Sequence, residues 1–325
     1  MPRSSIGTGT TAEPTRPRKG PQCPPGARYR GRFAPSPTGP LHFGSLLAAA
    51  GSWLDARAHG GEWLLRIEDL DPPREPPGAA DEILRSLEHF GLHWDGEVWF
   101  QSRRQAAYDE ALATLSAAGW SYPCLCSRKD VAEANARLGS PDARRYPGTC
   151  RALRPTQAGR SRVIRVRTNA EPLTVADRLQ GEFSQVLERD VGDFVLRRRE
   201  GFIAYQLAVV VDDHAQGVTD IVRGMDLLES TPRQIWLQRL LGCAAPRYMH
   251  LPVVAAPGGE KLSKQTGAAA VDARQAPELA WQVLHALGQE PPTELRGTAV
   301  RDLWDWGARH WRPQHLAGIR SIPAP

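Results

Sequence analysis

Lysine is scarce in this chain, although basic residues are not. Only four of the 41 basic residues are lysine, at positions 19, 129, 261 and 264, and the others are arginine. Two of these four lie three residues apart in the sequence EKLSKQ, residues 260–265. A compact ammonium on a flexible stem can follow a mobile phosphate where the planar fork of arginine cannot. Composition alone leaves open a chance pair on a solvated turn, but the Gly-Gly pair before it favours phosphate contact.

Long apolar segments are also missing. No run approaches the length of a membrane span, and the N-terminus lacks the apolar stretch of a signal peptide. We therefore expect a soluble, cytoplasmic protein with no membrane partner. Residues 1–28 are rich in Thr, Pro, Gly and Arg and contain almost nothing apolar, so we expect them to be a disordered extension.

Outside its N-terminal end the chain has no excess of positive charge. Residues 1–30 contain six basic residues and one acidic residue, which accounts for the whole net charge of +5. The remainder is neutral overall. Bulk charge therefore gives no support for nucleic-acid binding, and only a local basic patch could do so.

The distribution of cysteine and histidine limits the metal sites that are possible. Cys124, Cys126 and Cys150 lie within one segment, and close thiols in a cytosolic chain indicate a metal site before a disulfide. Structural zinc takes four ligands, but no histidine lies between His93 and His214. We expect one structural zinc with a fourth ligand other than histidine, and free thiols are the alternative.

Strand-like and helix-like patterns alternate along the chain. Residues 62–67 predict a buried strand, and a stripe of apolar residues over 79–90 predicts a helix. Ser102 with Gln105 resembles a capping box at the start of the next helix. A β-rich block over 163–196 interrupts this alternation. The pattern predicts an α/β fold with a Rossmann-like, doubly wound parallel sheet and an inserted α+β subdomain.

The segment RFAPSPTGPLHFGSL, residues 32–46, predicts a strand, an irregular loop and a helix. Free backbone N–H groups at a helix start attract phosphate, so Gly44 and Ser45 are candidate phosphate donors. His42, just before them, could donate to a phosphate oxygen as negative charge develops there. The alternative is a proline-rich turn with a structural histidine.

Three segments in order carry a resemblance to the glutamyl and glutaminyl branch of class I aminoacyl-tRNA synthetases. They are residues 32–46, residues 201–234 (GFIAYQLAVVVDDHAQGVTDIVRGMDLLESTPRQ) and residues 261–265 (KLSKQ). The last resembles the KMSKS loop, with Leu262 for Met and Gln265 for the final Ser. Together they span most of residues 29–265. The resemblance implies a class I synthetase fold with a zinc-containing insertion.

That resemblance also implies an activity and its site. Members join an amino-acid carboxylate to the α-phosphate of ATP with Mg²⁺ and release pyrophosphate. His42 and Lys264 would be catalytic, and ATP would be bound by His42, Gly44, Ser45, Lys261 and Lys264. L-Glutamate would be bound by Arg32, Phe33, Ala34, Pro35, Ser36, Glu68, Tyr205 and Arg223. Arg32 and Arg223 suit carboxylate recognition, and Glu68 suits the substrate ammonium.

The chain further resembles the shortened branch of that family, the glutamyl-Q tRNA(Asp) synthetases. The CxC pair, the YxxxC spacing of Tyr146 and Cys150, the run PPREPPGAA (residues 72–80) and KLSKQ carry this resemblance. It implies Tyr146 as the fourth zinc ligand, with Asp142 or water as alternatives. Such enzymes activate glutamate without tRNA and transfer it to queuosine at the wobble position of tRNA(Asp). About 60 residues follow Gln265, and we expect no anticodon-binding domain.

The predicted organisation has five parts. They are a disordered extension over 1–28, the first half of the catalytic domain over 29–123, an inserted subdomain with the zinc site over 124–190, the second half of the catalytic domain over 191–240, and the KLSKQ loop with a short helical region over 241–325. We expect a monomer. Alternative functions are a compact glutamyl-tRNA synthetase that charges the 3′ end of tRNA(Glu), an RNA-binding module without catalysis, and a small-acid ligase with an H-x-G loop.

Overall fold

A computed structural model describes residues 22–24, 26–140, 142–152, 163–255 and 269–324. The expectations for Lys261, Lys264 and most of the 1–28 extension therefore lie outside the described residues. The strands are β1 Arg30–Phe33, β2 Glu62–Ile67, β3 Trp99–Phe100, β4 Ser121–Cys124, β5 Val163–Val166, β6 Pro172–Asp177, β7 Gly181–Val186, β8 Val195–Arg197, β9 Asp220–Gly224, β10 Arg247–Leu251, β11 Val253–Ala255 and β12 Ser321–Pro323.

The helices alternate with these strands through most of the chain. They are α1 Phe43–Ala58, α2 Ala79–His89, α3 Gln105–Ala117, α4 Arg128–Arg137, α5 Leu187–Asp190, α6 Tyr205–Ala215, α7 Thr231–Leu241, α8 Ala276–Ala286 and α9 Val300–Arg309. α7 begins with Pro232 in its first turn, where the missing N–H of proline costs nothing, and ends at Gly242 in the left-handed conformation.

Two groups of parallel strands lie side by side at the centre. β2 pairs in parallel with β1 and β3, and β10 pairs in parallel with β9 and β6. The two groups meet where the Thr219 N–H, just before β9, donates to the Arg30 carbonyl oxygen over 2.9 Å. A central strand order of this kind, with helices between the strands, is a Rossmann-like sheet. The predicted fold class is confirmed.

The β-rich insertion forms its own antiparallel sheet. β5 lies between β4 and β8, and the capped helix α4 follows β4. Within the same stretch β6 pairs with β10 of the central sheet and carries β7 as an antiparallel edge strand. The strands of the inserted sheet thus begin at Ser121 and end at Arg197. The boundaries proposed at 124 and 190 stay a prediction.

The main core forms around α1, which packs against β1, β2 and β9 on one side and α8 and α9 on the other. The Asp55 carboxylate on α1 accepts hydrogen bonds from Tyr29 before β1, Arg178 after β6 and Trp311 after α9. This buried carboxylate therefore ties the segment after α9 to the central sheet. No described helix has the length and apolar character that crossing a membrane requires.

The predicted capping box at Ser102 and Gln105 is wrong. Gln105 is the first residue of α3, the preceding residue is Arg104, and no side chain caps this end. Ser102 instead lies in a 3₁₀ turn, where its N–H and hydroxyl both donate to the Asp69 carboxylate at 2.8 and 2.6 Å. The serine stabilises the loop after β2 rather than the helix, because an acceptor from a distant segment competes with the local one.

Candidate active site and metal centre

His42 caps the helix that the 32–46 motif predicts. Its backbone is extended, and its Nδ1 accepts the N–H of Ser45 over 3.2 Å. Accepting through Nδ1 leaves the proton of the neutral ring on Nε2, which lies 3.1 Å from Ser45 Oγ. The capping contact therefore selects the tautomer that can donate from Nε2. A Cβ on Gly44 would lie 3.2 Å from the ring, so glycine permits this close approach.

A cavity of about 430 Å³ opens beside this helix start. Six predicted ligands line it: Phe33, Pro35, Ser36, His42, Gly44 and Ser45. Residues that follow β9 and residues of β11 line it as well. The chain leaves the described range just after β11 and returns with the Val271 N–H donating to the Leu41 carbonyl oxygen over 2.9 Å. The described residues on either side of the stretch that contains KLSKQ therefore lie beside the cavity.

A group of buried charges lies behind the cavity. The Arg32 Nε–H donates to Asp213 Oδ1 over 3.1 Å, and the Arg66 guanidinium contacts Asp213 at 2.8 Å and Glu68 at 3.4 Å. The side chains of Arg32 and Arg66 are almost fully buried. Because buried charges are stable only when they are paired, this alternation of cations and anions explains why the group persists inside the protein.

Among these buried charges, Glu68 is the one whose desolvation is only partly offset by its positively charged neighbours. Burial raises the pKa of its carboxyl to about 7, because the nearby Arg66 and Arg32 offset only part of the desolvation and Asp213 adds to it. The Glu68 N–H donates to the Pro35 carbonyl oxygen over 3.0 Å, which places the residue directly behind the loop of the cavity. A carboxylate in this condition would be stabilised by a further cation, such as a substrate ammonium.

Arg223 supplies a third buried guanidinium. Its Nη2 donates to Thr231 Oγ1 over 2.8 Å and to the Leu227 carbonyl oxygen over 3.3 Å, and Leu227 lines the cavity. Its Nη1 is buried and has no hydrogen-bond partner among the described residues. Buried donors without a hydrogen-bond partner are rare, and a carboxylate ligand would accept hydrogen bonds from Arg223 Nη1.

Tyr205, the first residue of α6, faces the same charges. Burial raises the pKa of its hydroxyl, and the charges of Arg223, Glu68 and Arg32 all act on that hydroxyl. The structure therefore brings together Arg32, Glu68, Tyr205 and Arg223. Of the remaining predicted residues, Phe33 stacks on Trp63 with ring centroids 6.2 Å apart, and Ala34 is half-buried after β1.

Sequence reasoning did not identify Arg66, Asp213 or Gln216 as parts of this group. Gln216 Oε1 accepts from Arg66 Nη1 over 2.6 Å. Asp213 follows closely on the apolar run LAVVV of the helix sequence YQLAVVVDDHA, and Arg66 lies in the buried strand EWLLRI. A charge inside an apolar element is the signal that could have located them, since such residues need a buried partner.

The three cysteines of the insertion do come together. The Sγ atoms of Cys124, Cys126 and Cys150 lie within 4.8 Å of one another, and no histidine or carboxylate of the described residues joins them. The Tyr146 hydroxyl lies 3.3 Å from Cys124 Sγ and 3.8 Å from Cys126 Sγ. Asp142, the alternative ligand, is exposed, and its carboxylate accepts the Arg144 N–H. This cluster can hold a metal ion.

Two contacts make Tyr146 suitable as a ligand. Its oxygen accepts the backbone N–H of Cys150 over 2.8 Å, and the Arg165 guanidinium lies 3.9 Å from its ring centroid. Both would stabilise a phenolate. Without a cation, burial and the thiol contacts raise the pKa of Tyr146, so the phenolate depends on the metal. Three thiols and a phenol oxygen thus lie close together, and four donors is the number that a tetrahedral metal site takes.

Comparison with known proteins identifies the family. Residues 28–285 match the family described as tRNA synthetases class I (E and Q), catalytic domain. The glutamyl-Q tRNA(Asp) synthetase of Dechloromonas aromatica is 57% identical over 284 residues, which cover 87% of this chain and 94% of that protein. This chain belongs to the glutamyl-Q tRNA(Asp) synthetase family. The family member from Chromobacterium violaceum is also 57% identical, over 91% of this chain and 98% of its own length.

Solved synthetase structures share the fold of this glutamyl-Q tRNA(Asp) synthetase family member. A glutamate tRNA ligase from Elizabethkingia meningosepticum, solved in complex with its amino acid, is 25% identical with a TM-score of 0.75. The alignment covers 90% of this chain and 66% of that one, so the chain spans slightly less than two thirds of its length. The glutamate–tRNA synthetase of Elizabethkingia anophelis gives a TM-score of 0.76 at 25% identity, over 91% of this chain and 68% of that one.

Proposed function

We propose that this chain activates L-glutamate with ATP, without needing tRNA, and then transfers the glutamyl group to queuosine at the wobble position of tRNA(Asp). Nη1 of Arg223, which has no partner among the described residues, carries this proposal, because it indicates a ligand with a carboxylate in a buried pocket beside a cavity. Arg32, Glu68 and Tyr205 supply the other charges and hydroxyl that glutamate requires. We infer the acceptor of the glutamyl group, queuosine in tRNA(Asp), from the names of the relatives.

The first step is positioning with charge stabilisation. Arg223 and Arg32 bind the substrate carboxylates, and Glu68 accepts the α-ammonium. The α-carboxylate oxygen attacks the α-phosphorus of ATP, an acyl–phosphate bond forms, and pyrophosphate leaves. His42 donates from Nε2 to a phosphate oxygen, the first turn of α1 attracts the negative charge, and Lys261 and Lys264 contact the phosphates. Bound Mg²⁺ would neutralise part of the phosphate charge.

In the second step a hydroxyl of the queuosine cyclopentenediol attacks the glutamyl carbonyl carbon. An ester forms and AMP leaves, so the adenylate energy drives the transfer. The buried charges around the glutamate remain in place and hold the acyl group during this exchange. We further propose that the protein acts as a monomer, which sedimentation at equilibrium would test.

Exchange and transfer assays together test the function. ATP–pyrophosphate exchange should depend on glutamate and should not need RNA. Labelled glutamate should then enter tRNA from cells that make queuosine and should not enter tRNA from cells that lack it. Absence of exchange would rule out amino-acid activation. Equal labelling of both tRNA preparations would instead favour charging of the 3′ end of tRNA(Glu).

Replacing Lys264 with arginine should lower the rate of exchange by roughly a hundredfold or more, although it preserves the charge. The planar guanidinium cannot follow the phosphates as a compact ammonium does, and loss of one such stabilising contact costs about 2.7–4 kcal/mol. Single-turnover measurement of adenylate formation checks this. Lys129→Arg, at an exposed position of α4, is the matched control. Near-normal exchange by Lys264→Arg would show that this position needs only a positive charge.

The apparent KM for glutamate should rise as the pH falls below about 7. Only ionised Glu68 can pair with the ammonium, and burial raises the pKa of Glu68 to about 7, so the rise should approach roughly tenfold per pH unit. The KM for ATP should not follow it. In Glu68→Gln the binding of glutamate should be weak at every pH, and a pH-dependent KM in that variant would assign the titration to another group.

The substitution Glu68→Gln should stabilise the folded protein at alkaline pH. The pKa of Glu68 is higher in the folded than in the unfolded protein, so its contribution to stability is present in acid and is lost as the pH rises through about 7. Glu68→Gln should therefore be more stable than the parent at pH 8, by an amount on the order of 1 kcal/mol, and about equally stable near pH 4. Urea unfolding at both pH values measures this difference.

The metal of the Cys124, Cys126 and Cys150 cluster is, in our proposal, one structural zinc ion per chain with Tyr146 as its fourth ligand. Four protein donors would close the coordination shell, as in structural rather than catalytic zinc sites. When bound, the ion supplies a crosslink between β4 and the segment before β5. The thiols take no part in adenylate formation, because they lie in the inserted subdomain rather than at the cavity.

A further inference from the structure

A buried hydrogen-bond chain lies behind Arg223. The Arg223 Nε–H donates to His250 Nε2 over 3.0 Å, and His250 Nδ1 lies 2.6 Å from Asp177 Oδ2. All three side chains are buried, and that of His250 has no exposed surface. The register of the central sheet creates this contact, because Arg223 on β9 is paired directly with His250 on β10. Asp177 is the last residue of β6, the next strand.

The backbone keeps Asp177 ionised. Its Oδ1 accepts the N–H groups of Leu179, Gln180 and His250 at 3.0, 2.9 and 3.2 Å, which leaves Oδ2 for the imidazole. Burial opposes ionisation, but the hydrogen bonds from the His250 ring and from the backbone outweigh it and hold the pKa of Asp177 below its usual range. A carboxylate held in this way can only accept, so His250 Nδ1 must carry a proton.

His250 is neutral in this setting. Burial lowers its pKa and the positive charge of Arg223 lowers it further, while Asp177 and Asp226 act in the opposite direction. Tyr248 on the same strand, stacked 6.2 Å away, and the Thr231 hydroxyl on α7, 3.4 Å from Nε2, complete the polar surroundings among the described residues. With its single proton on Nδ1, the ring presents a lone pair at Nε2 to the Arg223 Nε–H.

These contacts fix which part of the guanidinium remains for a ligand. His250 holds Nε, while Thr231 and the Leu227 carbonyl hold Nη2. The buried Nη1 alone has no partner among the described residues. We propose that His250, oriented by Asp177, is a positioning residue that directs Arg223 Nη1 at a substrate carboxylate. It thereby sets the affinity for glutamate and the discrimination against glutamine. This proposal rests on the proposed function and adds two residues that do not touch the substrate.

Substitution of His250 separates positioning from general structure. His250→Phe keeps a ring of similar volume and removes the acceptor, whereas His250→Gln can place an amide oxygen near the position of Nε2. Loss of a hydrogen bond to a charged group corresponds to roughly a 10- to 100-fold change. His250→Phe should therefore raise the glutamate KM by about that factor, with kcat and the ATP KM within about twofold of the parent.

The other variants complete the test. His250→Gln should restore most of the glutamate affinity. Asp177→Asn should raise the glutamate KM to an intermediate value, since an amide can also donate to Nδ1 and does not impose one tautomer. The ratio of kcat/KM for glutamate to that for glutamine should fall in His250→Phe and in Asp177→Asn. Tyr248→Phe, on the same buried strand, is the matched control and should behave as the parent.

Each outcome decides the proposal. A glutamate KM for His250→Phe within twofold of the parent, or an equal rise in the ATP KM, would overturn it while leaving the proposed function intact. No glutamate-dependent exchange by the parent protein would overturn both. If the variants fail to fold, ¹⁵N NMR of the parent imidazole decides. Nδ1 protonated and Nε2 unprotonated from pH 6 to 8 supports the proposal, and the opposite tautomer refutes it.

Discussion

Arg223→Gln should reduce kcat/KM for glutamate in ATP–pyrophosphate exchange by roughly a thousandfold or more. The substitution removes a charge-assisted, desolvated contact with the substrate carboxylate, and such contacts contribute several kcal/mol when water is excluded. Arg223→Lys should lose nearly as much. A single ammonium cannot donate to His250, Thr231 and the Leu227 carbonyl and still present a donor to the substrate.

The stability of these variants should separate a binding role from a structural one. Nη1 of Arg223 has no partner among the described residues, so the guanidinium is buried at a cost that a ligand would offset. Arg223→Gln should therefore unfold at a similar or higher temperature than the parent. Arg239→Gln on α7, which breaks a partly buried ion pair with Glu171, is the control and should keep its activity. Comparable activity in Arg223→Gln would remove this residue from the glutamate site.

Cys150→Ser should abolish stoichiometric metal binding. Structural zinc contributes apparent free energies of about 10–16 kcal/mol to the folding of small zinc domains, and removal of one thiolate forfeits a large part of that. The purified parent should contain about one zinc per chain and the variant almost none. Proteolysis should then cleave near α4 and the cluster, while the central sheet, which has its own core, stays folded.

Three matched substitutions identify the ligands. Cys243→Ser changes a buried thiol outside the cluster and should retain the metal. Tyr146→Phe should bind zinc measurably more weakly, because water must replace the phenolate, whereas Asp142→Asn should have no effect. Full metal content in Cys150→Ser would contradict the zinc proposal. Unchanged zinc affinity in Tyr146→Phe would contradict only the fourth ligand.

Local features of the site were accessible from the sequence. The strand–loop–helix of residues 32–46 forms as predicted, and His42 caps α1 where the apolar pattern begins. The cysteine spacing anticipated the cluster, with Tyr146 beside it. These features succeed because short-range geometry governs them: prolines and glycine end a strand, and a cap begins a helix. The family resemblance assigned Glu68, which directly follows strand β2, to the site.

Contacts between residues that lie far apart in the sequence could not be predicted in this way. The capping box at Ser102 failed because Asp69, 33 residues away, competes for the serine. Asp213 could not be assigned to Arg32 without the packing of α6 against the central sheet. Similarly, nothing near Arg223 in the sequence indicates that His250 holds its Nε.

The family, the alternation of strands and helices, and the residue types at the site follow from the amino-acid sequence. Which charges are paired and which remain for a ligand depends on the three-dimensional packing. The reason is physical. The register of parallel strands and burial from water set the partner and the pKa of each ionisable group, and both are properties of contacts between segments that lie far apart in the chain. The lack of a partner for Arg223 Nη1 within the described part of the chain and the raised pKa of Glu68 arise in this way.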